Sequence, residues 1–441
     1  MSDLLVGYAR VDITPSDFVG IPLGGHGNEA TRVAQTVLDP IYATCVAASC
    51  EGQTVLLISR DLIDGLDPVI ANARKRVSDT FGIPVENVII AGTHTHAAPS
   101  LIYDHEKIEK YRPEHEDGIV KAAELALADL SAATVSSGST KLPGLAFVRH
   151  YKMADGTIKS ANTAAFREGE PVDHGMVIDD EMNLVKFTRQ GKKDILLMNW
   201  QAHACFADVW GNGTQISADY IGVVRSIVEQ KTGMNFVFFL GAAGNQTTDC
   251  RIPALRHKMN MEQYGQKLAD GALTLLGNLQ PCGNAGIRTI QKTYEFPTNR
   301  KCQEFLEYAK KALEVNTQEG RDAANAYARA HGMQSVNHAY YINQRSTWPD
   351  MRPITINALN IAGIGFTVAP YEMFSTASTY IKKNSPTDTT VIISCANGKE
   401  FYIPSKESFD YFAYESLHCR YAQGTSEALA EKFVELLEQM N

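Results

Sequence analysis

Short apolar runs alternate with longer amphipathic segments along most of the chain. The apolar runs at 54–59, 87–92, 194–200, 235–241, 354–360, 363–368 and 389–395 predict buried strands. After the third run, Ser217 is placed to cap a helix that carries Ile221, Val224 and Val228 on one face and ends near Gly233. This alternation predicts an α/β fold with a large mixed, mostly parallel sheet flanked by helices on both faces.

Two segments do not follow this alternation of strands and helices. Residues 100–117 are rich in charge and tyrosine, and residues 300–335 form a charged stretch in which Phe305, Ala309 and Leu313 recur at helical spacing. The second segment therefore predicts a surface helix with one buried stripe. Because the sequence contains no repeat and no linker-like stretch, we expect residues 1–441 to form a single domain.

Composition and charge exclude several classes of protein. The chain has 441 residues, of which 44% are hydrophobic, and its formal net charge of −9 argues against a nucleic-acid partner. It has no apolar run of about 18 residues, so we expect no transmembrane segment. The N-terminal residues show no secretory signal and the eight scattered cysteines suit reduced thiols, which together predict a cytoplasmic protein. The sequence gives no sign of oligomeric state.

The first candidate for chemistry is a pair of histidines directly after the strand at 87–92. In extended backbone, side chains two residues apart project from the same face, so His94 and His96 are expected to lie side by side. Such a pair could share a metal ion, or one imidazole could bind metal while the other transfers protons. A pair of hydrogen-bonded structural histidines stays equally open.

Three further polar residues also follow apolar strands. His203, Glu372 and Tyr402 each have an ordinary explanation, as a core histidine, a helix-capping acid and a packing tyrosine. Open α/β sheets, however, bind ligands outside the carboxyl ends of their strands. Two imidazoles and one carboxylate with a vertex left over are typical of a hydrolytic zinc site, where the metal lowers the pKa of a bound water to about 7. Spacing alone does not decide whether these residues converge.

A set of motifs resembles the neutral/alkaline (non-lysosomal) ceramidase family and occurs in the family's order from residue 7 to about 425. They are GYARVDITP (7–15), GTHTHAAP (92–99), NWQAHACF (199–206), ISADYIG (216–222), APYEMF (369–374) and FYIPSKESFDYFAYE (401–415). The chain ends where the family's catalytic region ends. The resemblance therefore implies a catalytic domain only, without the C-terminal immunoglobulin-like domain of ceramidases.

The resemblance also implies roles for individual residues. It implies one zinc ion with four protein ligands, which are His94, His203, Glu372 and Tyr402. His96 is implied as a catalytic neighbour of the metal and Arg149 as a catalytic cation near the scissile group, both stabilising the tetrahedral intermediate. Asp219 is a candidate for orienting a ligand histidine from behind, and Asn245 is a candidate for contact with the substrate or the ligands.

The chain also departs from the family pattern. It reads GAAGNQTTD at 241–249, where ceramidases have Gly-Asp-x-Ser-Pro-Asn, and Arg149 is not followed by the family's Ser-Pro.

The leading hypothesis is a zinc-dependent hydrolase that cleaves a non-peptide amide of a small-molecule or lipid-like substrate by attack of a metal-bound water. The alternatives are an ester or lactone hydrolase of the same fold, and a non-catalytic homologue that binds metal or ligand.

Overall fold

The computed structural model describes residues 3–26, 32–63, 67–163, 166, 169–208, 212–256, 259–283 and 286–441. The α-helices in these ranges are α1 (Asp67–Phe81), α2 (Glu106–Ala128), α3 (Tyr220–Thr232), α4 (Met261–Leu276), α5 (Leu306–Glu319), α6 (Arg321–Ala330), α7 (Val336–Ser346), α8 (Ser375–Asn384), α9 (Tyr414–His418) and α10 (Thr425–Glu438).

The strands vary widely in length, from two residues to eleven. They are β1 (Leu5–Asp12), β2 (Thr36–Val37), β3 (Tyr42–Cys50), β4 (Gln53–Arg60), β5 (Val88–Gly92), β6 (Ser131–Lys141), β7 (Phe147–Val148), β8 (His150–Met153), β9 (Ile158–Ser160), β10 (Pro171–His174), β11 (Glu181–Arg189), β12 (Ile195–Trp200), β13 (Gln215–Ile216), β14 (Asn235–Leu240), β15 (Gln246–Thr247), β16 (Gln280–Pro281), β17 (Ile287–Pro297), β18 (Met351–Ile361), β19 (Ile364–Val368), β20 (Glu372–Met373), β21 (Thr390–Ile393) and β22 (Tyr402–Ile403).

The largest sheet has the order β14-β12-β11-β6-β1-β3-β4-β5, with β16 also paired to β6. The α/β class with a large mixed sheet flanked by helices is thus confirmed. The expectation that most strands are parallel is wrong, because in the described part of this sheet only β4–β5 and β12–β14 pair in parallel. The central strands β1, β3, β6 and β11 are antiparallel. β3 and β4, for example, are joined by the two-residue turn Glu51-Gly52, which can only form a hairpin.

Helices cover one face of this sheet, and a second sheet covers the other. Along β3, Ala43 and Cys45 point toward α1 and α2, while Val46 points to the opposite face. That face packs on the sheet β17-β18-β19-β21, which contributes residues such as Leu359 and Phe366 to the shared core. Helices α8 and α10 then cover the far side of the second sheet. The predicted cover of helices on both faces is therefore corrected to a layered order of helices, sheet, sheet and helices.

The nine-stranded sheet is curled, so that strands distant in its order meet. The Ser59 hydroxyl in β4 donates to the carbonyl of Phe238 in β14 over 2.5 Å, and the Tyr8 hydroxyl in β1 donates to that of Phe236 over 3.0 Å. The second sheet bridges the same region, because Gly92 N–H donates to the Cys395 carbonyl. The carboxyl ends of β5, β12 and β21 are therefore drawn together on one side of the molecule.

The two segments that fitted the sequence pattern poorly are helical. Residues 100–117 contain the beginning of α2, and residues 300–335 contain α5 and α6. Of the three residues predicted to form the buried stripe of the second segment, Ala309 is buried, whereas Phe305 and Leu313 are half-buried. No helix in the described ranges is both long enough and apolar enough to cross a membrane.

Helix α2 lies so close to strand β1 that position 7 has no room for a side chain. A Cβ atom on Gly7 would be 1.9 Å from the carbonyl oxygen of Ala126, which belongs to the helix backbone. The absence of a side chain at this position therefore sets the distance between the helix layer and the large sheet.

We predict that Gly7→Ala destabilises the protein by about 3 kcal/mol or more, because backbone must move to relieve the clash. The matched control is Gly277→Ala, where the right-handed backbone accepts alanine and the added Cβ would meet only the Thr274 carbonyl at 3.7 Å. Thermal and urea unfolding of both variants measures the effect. Equal stability of Gly7→Ala and the wild type would show that α2 does not pack on β1 in this way.

Candidate metal centre and cavity

The two histidines after β5 lie together, but the backbone between them is not a regular strand. His94 has a φ of 63°, in the left-handed region, and its N–H donates to the Leu62 carbonyl. Thr95 then forms a parallel bridge with Ala204, and His96 N–H donates to the Ala204 carbonyl over 2.8 Å. The centroids of the two imidazole rings are 5.1 Å apart. The rings are therefore neighbours as predicted, although extended geometry is not the reason.

His203 and Glu372 approach the same point from other strands. His203 follows β12, and its ring centroid is 4.9 Å from that of His94 and 5.4 Å from that of His96. Glu372 begins β20, whose partner strand β22 places Tyr402 directly opposite it in parallel register. The Glu372 Oε2 atom lies 3.5 Å from His94 Nε2 and 3.3 Å from His203 Nε2.

Backbone carbonyls fix the orientation of both imidazoles that face Glu372. His94 Nδ1 is 2.8 Å from the carbonyl oxygen of Ile63, and His203 Nδ1 is 2.9 Å from that of Gln246. A carbonyl oxygen can only accept, so each Nδ1 carries the proton and each Nε2 presents a lone pair to the shared centre. This is the arrangement in which metal-binding histidines are usually held.

The charge state of the cluster also suits a cation. Burial lowers the pKa of His203 to about 4 and holds the pKa of His96 well below its usual range. Burial alone would raise the pKa of Glu372, but the influence of His94, His203 and Arg149 outweighs it and lowers the pKa to about 2. At neutral pH the centre thus presents lone pairs and one negative charge.

The donor atoms fit a small divalent ion. The donor nitrogens of His94, His96 and His203 all lie within 4.8 Å of one another. Among the described residues, Glu372 Oε2 is buried without a hydrogen-bond partner. Two ligands about 2.1 Å from a tetrahedral zinc are about 3.4 Å apart, which the two distances from Glu372 Oε2 match. Tyr402 is buried beside this set, with burial holding its pKa well above the usual range.

Arg149 lies next to the donor cluster and is part of a buried network of hydrogen bonds and ion pairs. Its Nε donates to Glu415 over 2.7 Å and its Nη2 donates to the Gly244 carbonyl over 2.7 Å, while its Cζ lies 5.5 Å from the centre of the Tyr402 ring. The other oxygen of Glu415 is 3.1 Å from His150 Nε2. Burial would raise the pKa of Glu415, but His150 and Arg149 together hold it well below the usual range. Sequence reasoning did not single out Glu415, although it closes the motif at 401–415.

Two predicted supporting residues have other partners. Asp219 has a φ of 58° and caps α3, where its carboxylate accepts from the N–H groups of Tyr220 and Ala207 over 2.7 Å each. The prediction that Asp219 orients a ligand histidine is therefore wrong, since carbonyls occupy both Nδ1 atoms. Burial raises the pKa of Asp219 to about 7. Asp219, and not Ser217, is the N-cap; the Ser217 hydroxyl donates to Asp39 instead.

Asn245 supports the site from behind. Its side-chain oxygen accepts from Ser375 N–H over 2.9 Å, and its Nδ2 is 3.0 Å from the Ser375 hydroxyl, which ties the loop at 241–249 to the start of α8. Its backbone carbonyl accepts from Arg149 N–H over 2.9 Å. Asn245 thus positions the backbone of Arg149, and its predicted contact with substrate stays a prediction.

A cavity of about 1100 Å³ opens over the cluster and gives access to His94, His96, His203, Glu372, Tyr402 and Arg149. Its walls mix apolar and aromatic side chains such as Ile63, Ile102 and Phe166 with polar ones such as Asn162 and Thr163. His26 also lines the wall, and Asp208 lies beside it. Neither was found by sequence reasoning, because each is an isolated polar residue several positions away from the nearest predicted strand.

The fold and the site together define an α/β protein in which a histidine-rich candidate metal site lies at the strand ends, beneath a cavity of about 1100 Å³. A family model described as "Neutral/alkaline non-lysosomal ceramidase, N-terminal" matches residues 4–249, which is more than half of the chain. The chain belongs to the neutral/alkaline non-lysosomal ceramidase family. The resemblance inferred from the motifs is thereby confirmed.

Solved structures show the same fold. A crystal structure of neutral ceramidase from Pseudomonas aeruginosa superposes with a TM-score of 0.74 at 17% identity, and a structure titled "Ceramidase complexed with C2" with a TM-score of 0.72 at 17% identity. Each match covers 100% of this chain and 75% of the other. No curated protein matches the chain by sequence. The single-domain organisation and the individual roles of the site residues stay predictions.

We predict that Glu415→Gln lowers the free energy of unfolding by about 3 kcal/mol at pH 7, because it leaves the buried Arg149 guanidinium without its counter-charge. The low pKa of Glu415 stabilises the fold above its unfolded value of 4.5, and this contribution is lost as pH falls below that value. Urea unfolding from pH 7 to pH 3 should therefore show a shallower acid loss in the variant than in the wild type. The control is Glu295→Gln at an exposed position of β17. Parallel pH profiles for wild type and Glu415→Gln would contradict this assignment.

Proposed function

We propose that this protein is a zinc-dependent hydrolase of linear, non-peptide amide bonds in lipid-like substrates. The observation that carries the proposal is the shared approach of His94 Nε2 and His203 Nε2 to one oxygen of Glu372, at 3.5 and 3.3 Å. Membership of the ceramidase family and the likeness to ceramidase structures support the choice of an amide.

The donor set supports zinc among the divalent ions. Two imidazole nitrogens and one carboxylate oxygen are the ligands of many catalytic zinc sites, and Tyr402 would supply the fourth ligand. When bound, the ion supplies a polarised substrate carbonyl and a water that ionises near neutral pH. Among the described residues, the buried Glu372 Oε2 has no hydrogen-bond partner. Burial of such a carboxylate oxygen is costly unless a cation compensates it.

The remaining residues would handle protons and negative charge. The Nε2 atom of His96 is buried without a hydrogen-bond partner among the described residues, and the ring lies beside both ligand histidines. At that position His96 would accept or donate a proton at the carbonyl or the leaving amine. Arg149 keeps its positive charge because Glu415 faces it, and so would stabilise an oxyanion that forms next to Tyr402.

The cavity supports a substrate larger than a simple amide. Its volume of about 1100 Å³ lies just above the usual range of about 300–1,000 Å³ for small-molecule sites. The apolar positions on its wall could hold an acyl chain, while Asn162 and Thr163 could bind hydroxyl groups of the amine portion. We therefore place lipid-like N-acyl amides ahead of short water-soluble ones.

The cytoplasmic location expected from the sequence is part of this proposal.

We predict that the purified protein binds one zinc ion per chain, and that His94→Ala and Glu372→Ala each weaken zinc binding at least about 100-fold. The reason is that each change deletes a donor, whereas the loss of an outer partner alone costs 10–100-fold. Zinc titration with a competing chelator gives the affinity, and circular dichroism shows that the fold survives. The control is His331→Ala, a histidine that stacks on Tyr308 and Tyr327. Full zinc affinity in both site variants would disprove the ligand assignment.

We also predict that the zinc-loaded protein hydrolyses a short-chain N-acyl sphingoid amide, and that chelation abolishes and zinc restores this activity. Release of the free amine is followed by mass spectrometry, alongside an ester and a lactone of matched acyl length. Faster cleavage of the ester or lactone would assign the same site to the alternative bond. One bound zinc with no turnover of any of the three would identify a binding protein rather than an enzyme.

A further inference from the structure

Two histidines at the cavity direct the same nitrogen to one buried carboxylate. Asp208 has no exposed side-chain surface, and its Oδ2 contacts His26 Nδ1 and lies 3.5 Å from His96 Nδ1. The two Nδ1 atoms are 3.4 Å apart. Because a carboxylate oxygen accepts, this geometry favours a proton on Nδ1 of each ring. The Nε2 atom of His96 is then left with its lone pair.

Arg32 holds both the carboxylate and the backbone around it. Its Nη2 is 3.2 Å from the other oxygen of Asp208 and donates to the His96 carbonyl over 2.6 Å. Its Nη1 donates to the carbonyls of Gly24 and His26. Arg32 is 3% exposed, so these contacts are made away from bulk water. The arginine thereby fixes Asp208 relative to the two histidines.

The ring of His96 is confined on its other sides as well. Gly25 has a φ of 101°, and a Cβ at this position would lie 2.6 Å from His96 Cβ and Cγ and 2.7 Å from its Nδ1. The main chain of His96 is held by its hydrogen bond to the Ala204 carbonyl. Few orientations of the His96 ring are therefore sterically allowed, and the contact with Asp208 favours the one that places Nδ1 next to the carboxylate.

The same three side chains could in principle hold a second cation, since His26, His96 and Asp208 offer donor atoms within 4.8 Å of one another. The guanidinium of Arg32, 3.2 Å from Asp208, already supplies the positive charge that such an ion would bring. A dication placed there would meet that charge at short range in a buried site. The arrangement therefore favours a hydrogen-bonded network over a second metal site.

We propose that Asp208, anchored by Arg32, is a positioning residue that accepts the Nδ1 proton of His96 and keeps its Nε2 unprotonated and facing the metal centre. The effect on turnover rests on the proposed hydrolase function, but the tautomer of His96 does not. In this role Asp208 acts through His96.

The test compares the wild type with Asp208→Asn in the zinc-loaded full chain. Side-chain ¹⁵N NMR of histidine-labelled protein, assigned with His96→Gln, should show the Nδ1–H tautomer of His96 in the wild type and its loss in the variant. We expect kcat to fall about 100-fold with KM and zinc content unchanged. In a His96→Gln background, Asp208→Asn should cause little further loss of kcat, because the two residues act as one unit.

The matched control is Asp129→Asn, which also removes a carboxylate paired with arginine, Arg189, but borders a separate groove with Lys193 and Asn235. It should lose stability while kcat and the His96 tautomer stay unchanged. The Nε2–H tautomer in the wild type would overturn the proposal, as would two zinc ions per chain with one lost in Asp208→Asn. If the wild type cleaves no amide, the hydrolase proposal fails, and the NMR result alone then decides the positioning proposal.

Discussion

The site depends on a buried carboxylate that faces two imidazole lone pairs. Removing an ionised group from water is expensive, and among the described residues Glu372 Oε2 has no hydrogen bond that would repay the cost. Because backbone carbonyls accept from Nδ1 of His94 and of His203, the Nε2 atom of each neutral ring offers a lone pair and not a proton. A cation between these three acceptors would compensate the negative charge and the lone pairs that face one another. The other residues of the site orient these three side chains or balance their charge.

The two-sheet architecture provides this arrangement from distant parts of the chain. The curled large sheet brings the end of β5 close to the ends of β12 and β14, which accounts for His94 and His203. Glu372 and Tyr402 follow strands β19 and β21 of the second sheet along the chain, and they pair with each other in the separate short parallel sheet β20–β22. Neither sheet alone carries the donor set. The close packing of the layers, as at Gly7, therefore affects the placement of the donor residues as well as the stability of the fold.

Much of the fold and of the candidate site could be predicted from the sequence. The features that could not be predicted were missed for related physical reasons. The seven predicted strands are present, and three of the parallel pairs among them, β4–β5, β12–β14 and β19–β21, are βαβ units with strong apolar runs. The strands that make the large sheet mainly antiparallel carry weak signals, because β3 and β6 are rich in alanine, serine and threonine. The main residues of the candidate site follow apolar strands and could be named. Glu415, Asp208 and Arg32 could not, since only the tertiary structure brings a lone acid or arginine next to its partner.

The most direct test is a crystal structure of the zinc-loaded protein with anomalous diffraction data collected at the zinc edge. The account predicts a single strong anomalous peak about 2 Å from His94 Nε2, His203 Nε2 and Glu372 Oε2. A protein that takes up zinc but shows its peak elsewhere, or shows His94 and His203 turned away from Glu372, would contradict the account.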